Sequence, residues 1–158
     1  MVKTSKVTDR RTLHFASLNE ILEEVEYLAS GDPPRASGKW TAPQVVEHVS
    51  KLITFSIDGF PMRRASLPLR ILGRLLRNRA LTRPMPPGLK IPRRFPFMVP
   101  SAHITWEYAV ETLRTAVARA QSLRMKQRSP VLGKLTHEQW VQFHCRHAEM
   151  HLSFLHPE

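Results

Sequence analysis

Apolar residues recur at helical spacing in four stretches of the chain. The first begins at Ser17, with Glu20 three residues on, the offset at which side chains and backbone cap one another at a helix start. Leu18, Ile21, Leu22, Val25 and Leu28 then share one face, and Gly31-Asp32-Pro33-Pro34 ends the run. The second opens on Thr41 with Gln44 at the same offset. Pro43 sits in its first turn, where a missing amide hydrogen is tolerated. Val45, Val46, Val49, Leu52, Ile53, Ile57 and Phe60 form an apolar arc. Gln44, Glu47, Ser50, Lys51, Thr54 and Asp58 form a polar one, expected to face solvent, and Gly59 and Pro61 close the helix. The third is predicted from Ser101 to Met125, with Trp106, Ala109, Val110, Leu113, Ala116, Val117, Ala120 and Leu123 along its core stripe. The fourth covers residues 136–155 and starts on another capping pair, Thr136 and Gln139.

Between the second and third helices, Leu67 to Arg79 has the spacing of a short basic helix through Leu69, Leu72, Leu75 and Leu76. Arg83 to Pro100 carries six prolines and is expected to be extended or turned. No run alternates with the period of a strand. These elements predict an all-α single domain over residues 1–158, with residues 1–10 as a flexible tail. The architecture they suggest is a four-helix bundle with a long, basic, proline-rich crossover, because a long connection permits neighbouring helices to run parallel.

Charge sharpens the view of that crossover. The formal net charge is +11, and no Asp or Glu occurs from Gly59 to Trp106. The same stretch holds Arg63, Arg64, Arg70, Arg74, Arg77, Arg79, Arg83, Lys90, Arg93 and Arg94, whereas Glu20, Glu23, Glu24 and Glu26 cluster early. An anionic partner or substrate near the middle segment would be favoured. The amino terminus has no apolar stretch of the signal-peptide kind, no run is long enough for a membrane span, and there is one cysteine, Cys145. A cytoplasmic protein without a membrane partner is expected.

The fourth helix departs from the usual pattern of a core face. His137, His144, His147 and His151 lie on its inward side with Trp140, Ala148 and Leu155, while Glu138, Gln139, Gln142, Arg146 and Glu149 lie on the other. A buried imidazole needs a hydrogen-bond partner or a metal. His147 and His151, four apart, can reach one ion. His48 sits on the inward edge of the second helix and could join them, leaving a coordination position open, as in catalytic sites. His144 competes as a ligand, but it lies about 10.5 Å along the axis from His151, too far for both to bind one ion. His137, in the first turn, is expected to meet solvent or backbone; His103 and His14 to be structural; and Cys145 to be a small buried thiol. No phosphate loop, nucleophile elbow, CxxC pair or HExxH motif occurs.

The chain also resembles the DinB/YfiT-like superfamily of metalloenzymes, and more closely a bacterial family of unknown function within it. The residues that carry the resemblance are Gly38-Lys39-Trp40-Thr41, Gln44-Val45-Val46-Glu47-His48, Ile57-Asp58-Gly59-Phe60-Pro61, Met85-Pro86-Pro87-Gly88 and Leu132-Gly133-Lys134-Leu135-Thr136 with Trp140, then His144 through Phe154. The resemblance spans about residues 11–156 and implies an up-down-down-up bundle with a divalent metal, Zn, Ni or Fe, on His48, His147 and His151. His144, Trp140 and Phe55 would then line the site. Members of the superfamily include S-transferases and isomerases that use low-molecular-weight thiols. A thiol-dependent transferase or related nucleophilic enzyme acting on a small molecule is therefore the expected function. Arg93 and Arg94 are the candidates for holding the anionic groups of the thiol or substrate, and a homodimer is an expected assembly. The alternative is a non-catalytic module that grips nucleic acid or another polyanion with the Arg-rich crossover. Against it stand the lack of clustered aromatics for base stacking and of any recognition motif.

Overall fold

The computed structural model describes residues 3–62 and 65–158; Arg63 and Arg64 of the basic segment lie outside them. The described chain is mostly helical. Helices α1 (Leu18–Ala29), α2 (Ala42–Asp58), α5 (Trp106–Ser122) and α6 (His137–Leu152) correspond to the four predicted stretches. The short basic helix is present as two, α3 (Leu67–Leu75) and α4 (Arg77–Thr82), interrupted at Leu76. The proline-rich stretch is irregular apart from a 3-10 turn at Pro96–Met98.

Helix starts follow the local chemistry. The Ser17 hydroxyl accepts from the Glu20 amide at 3.2 Å, and the Thr136 hydroxyl and Gln139 side chain cap one another's backbone amides at 3.2 and 3.0 Å. Helix α5 begins later than expected, at Trp106. Thr105 caps it by accepting from the Tyr108 amide, while Ser101 is committed elsewhere, to Glu47. The expected ends of α5 and α6 also fall short. Residues Leu155–His156 (β2) leave the helix to form an antiparallel ladder with Arg35–Ala36 (β1), Ala36 opposite Leu155. No period-2 signal announces so short a ladder.

Helix α2 packs against α5, α6 and the Pro96–Met98 turn, and α1 packs against α5 and α6. The main core runs through Ile21, Val25 and Leu28 of α1, Val46, Val49 and Ile53 of α2, Leu113 and Val117 of α5, and Trp140, Ala148 and Leu152 of α6. Burying each large apolar side chain contributes roughly 1.5–3 kcal/mol. Trp140 is fully buried, and its indole N–H donates to the Gln127 carbonyl at 3.0 Å, so burial leaves no orphaned donor. A second cluster, Leu52, Ala65, Phe95 and Met98 with Phe55, Phe60, Phe97 and Phe143 against it, folds the crossover back onto α2.

On the polar faces of α2 and α6, Glu47 and Glu149 are covered, while Asp58, Glu138 and Gln142 stay exposed. Glu47 of α2 is buried and accepts from both the backbone amide and the hydroxyl of Ser101, and Lys51 donates to the Val99 carbonyl at 2.9 Å. Burial pushes the Glu47 carboxyl up, but the Ser101 bonds and Lys51 reverse this and hold it below its ordinary range. On α6, Glu149 is buried under the amino-terminal segment and accepts from the Phe15 amide at 2.7 Å. Of the stretch expected to be a loose tail, Asp9 and Arg10 are docked. The Arg10 guanidinium lies 4.7 Å from the centre of the Phe154 ring and bonds Ser153 Oγ, and the Arg11 amide donates to the Ser153 carbonyl.

Helix α3 meets the body at one point of very close approach. A Cβ on Gly73 would lie 2.5 Å from the Val131 carbonyl oxygen, so only glycine lets the helix lie this near residues 129–133.

Candidate metal centre

Three histidines from two helices converge. His147 and His151, one turn apart on α6, face His48 of α2. The Nε2 atoms of His48 and His147 are 3.1 Å apart, and each of the three residues offers a ring nitrogen within 4.8 Å of the others. Ligands of a common ion at about 2.1 Å stand roughly 3–3.5 Å apart. The His48–His147 pair meets that spacing, and the widest separation closes with a side-chain shift of about 1 Å. The three could therefore hold a metal ion, and no carboxylate or thiol among the described residues joins the group.

The surroundings prepare the nitrogens. His48 Nδ1 is 2.7 Å from the Met98 carbonyl, which can only accept, so Nδ1 carries the proton and Nε2 presents a lone pair. Burial pushes the His48 imidazole down to about 4; the Met98 bond opposes this, and Lys51 adds to it. His147 and His151 are held well below the ordinary histidine range, first by burial and then by the repulsion a charged neighbour in the cluster would exert. At neutral pH all three are uncharged, the form in which imidazole binds a metal. His147 Nδ1 has no hydrogen-bond partner among the described residues.

Trp40 roofs the cluster. Its ring stacks on His151, with centroids 5.6 Å apart and planes 15° from parallel, and leans against His48 at 4.7 Å. The β1–β2 ladder and the Ser37 amide, which donates to the Phe154 carbonyl, bring this loop over α6. Trp40 also borders an open groove of about 390 Å³ lined by Pro33, Pro34, Lys39, Pro43 and Trp106. Phe143 stacks on His147 from within α6. Neither aromatic stands out in the helical pattern. Trp40 precedes α2, and only the non-local ladder gives it a neighbour in α6.

The other candidates lie elsewhere. His144 is fully buried, stacks on Trp140 at 5.3 Å, and has Nε2 3.1 Å from Ser56 Oγ. The Ser56 hydroxyl donates to Ile53, so the imidazole donates here, leaving Nδ1 without a partner among the described residues. Burial pushes His144 down to about 3. The ring contacts of Trp140 are with Phe60, Phe143 and His144, and those of Phe55 with Phe60 and Phe97, rather than with the three converging histidines. His137 Nδ1 accepts from the Met125 amide, His14 lies beside Glu149, and His103 is exposed in the loop before α5. Cys145 is buried, and burial raises its thiol to about 11, an inert state at neutral pH. Arg93 and Arg94 occupy an exposed turn and make no ion pair or side-chain hydrogen bond among the described residues.

No curated protein and no solved structure matches this chain. A family model does match, over residues 7–158, and the chain belongs to that family, described as a protein of unknown function (DUF1569).

Proposed function

We propose that His48, His147 and His151 bind a divalent ion, Zn, Ni or Fe, and that the protein is a metal-dependent enzyme using a thiol or water nucleophile. The observation that carries this reading is the convergence of three uncharged imidazoles from two helices, one of them locked in a single tautomer by the Met98 carbonyl. Three protein ligands leave a position for an exogenous group, and an ion held there would lower the pKa of a bound thiol or water enough to make it nucleophilic at neutral pH. Around it, Trp40 and Phe143 stack on His151 and His147, and the groove beyond Trp40 offers a small-molecule substrate an approach lined by two indoles and Lys39. In this reading the four long helices form an up-down-down-up bundle. The resemblance to the DinB-like metalloenzymes points the same way and favours a low-molecular-weight thiol.

The test is the metal content, by mass spectrometry, of protein purified without a nickel column. About one equivalent of divalent metal is expected, lost in the double variant His48→Ala with His147→Ala. Stoichiometric metal surviving both substitutions would sink the assignment. For the thiol, cobalt(II)-loaded protein should develop a thiolate-to-cobalt charge-transfer band on addition of a low-molecular-weight thiol. Its absence would leave water as the nucleophile.

A further inference from the structure

Helix α3 turns outward the residues that a helix normally buries. Leu67, Ile71 and Leu75 recur every fourth position and form one stripe, and they are 63%, 52% and 76% exposed. Leu72 and Leu76 widen it. The buried edge of the helix is Gly73, held against Val131. The helix is thus anchored by Gly73 and by Leu69, which packs against the second cluster, and displays Leu67, Ile71, Leu72 and Leu75, a clustering that monomer surfaces seldom carry without a partner.

Charge identifies the partner. Arg70 and Arg74 lie on the wheel between the apolar stripe and the buried Gly73 edge. With Arg128 and Ser129 they line a narrow notch between α3 and the 129–133 turn, and none of the three arginines has an acidic partner among the described residues. Arg79, Arg83 and Lys90 follow on the same acid-free segment. We propose that this face docks on an anionic phospholipid surface. The leucines enter the boundary between headgroups and acyl chains, and Arg70, Arg74 and Arg128 take lipid phosphates. Nucleic acid offers phosphates but no apolar layer for the stripe. The same segment of a second copy offers no Asp or Glu to meet Arg70 and Arg74. Among the described residues no helix is long and apolar enough to cross a membrane. Surface docking needs no span, so the expectation of no membrane partner, which rested on the lack of one, does not bear on it.

The experiment is co-sedimentation of the full chain with phosphatidylcholine vesicles, with and without about 30% phosphatidylglycerol. Binding is expected to the anionic vesicles alone, and to weaken at least about tenfold between roughly 50 and 500 mM salt. The triple variant Leu67→Ser, Ile71→Ser, Leu75→Ser should stay in the supernatant with its helical circular dichroism intact. The pair Arg70→Glu, Arg74→Glu, which leaves the apolar stripe whole, should do the same and carries the test if the triple variant fails to fold. The proposal is overturned by absence of binding to anionic vesicles at low salt, or by wild-type binding in the triple variant. It is also overturned by a dimer that the triple variant dissociates, or by equal affinity for a DNA duplex.

Discussion

Replacing Gly73 with Ala sets two effects of opposite sign against each other. In a solvent-facing helix the change would stabilise by about 0.5–1 kcal/mol, because glycine loses more backbone freedom on folding. At this position the new Cβ would lie 2.5 Å from the Val131 carbonyl oxygen, 2.6 Å from Val131 Cγ1 and 2.9 Å from the carbonyl carbon. Two of the three atoms are backbone, so a rotamer change cannot relieve the clash. Helix α3 or the 129–133 turn must move by about 1 Å, and overpacking of this kind costs about 1–3 kcal/mol. The turn resists movement, since Ser129 and Gly133 exchange backbone hydrogen bonds and Ser129 Oγ accepts from the Leu132 amide. The net expectation is a loss of about 1–2 kcal/mol, limited by the alternative of α3 lifting away from the body. Urea denaturation followed by circular dichroism measures the first outcome. Limited trypsin cleavage at Arg70, Arg74 and Arg77 measures the second, which should speed up even where the global midpoint hardly moves. A raised midpoint with unchanged cleavage would mean that helix propensity wins and that the α3–Val131 approach is looser than described.

Two further outcomes follow from stacked rings. Trp40→Ala should weaken metal affinity about tenfold through lost support of His151 and His48, with Trp40→Phe in between; equal affinities by competition with a chromophoric chelator would refute the supporting role. In metal-free protein, His144 at about 3 stays neutral while the unfolded imidazole, near 6.5, takes up a proton. Stability is therefore full above pH 6.5 and falls as pH drops toward 3. Between pH 7 and 5 this one residue contributes a loss of about 2 kcal/mol, which should vanish from the urea-derived difference in His144→Leu.

What could be read from the chain divides along local and non-local lines. Ser17, Thr136 and their capping partners announce helices because the bonds they make span three residues. His48, His147 and His151 were legible because helical phase alone puts them on inward faces, but phase could not separate His144 from them. That separation comes from its stacking on Trp140 and its bond to Ser56, 88 positions away. Glu47 is illegible for a related reason. On a helical wheel it belongs with the solvent-facing residues, yet the crossover returns at Ser101 to satisfy both its oxygens. Trp40 lay outside any periodic segment. Its place over His151 depends on Ala36 pairing with Leu155, which no window of the sequence contains.

The distance along the chain between the converging histidines has a kinetic consequence. His48 and His147 are separated by 99 positions, and the Ser37 contact that seats the Trp40 loop spans 117. Closing such loops is entropically unfavourable until much of the intervening core exists to reward it, so contacts of this reach form late. The α2 bonds to residues 98–101 span only about half that length, 48 to 57 positions, and can precede them. In that order His48 meets Met98 before α6 closes over it. A metal ion bound by the three histidines would barely speed refolding in that order of events and would chiefly slow unfolding, because it would meet all three together only after the rate-limiting barrier had been crossed.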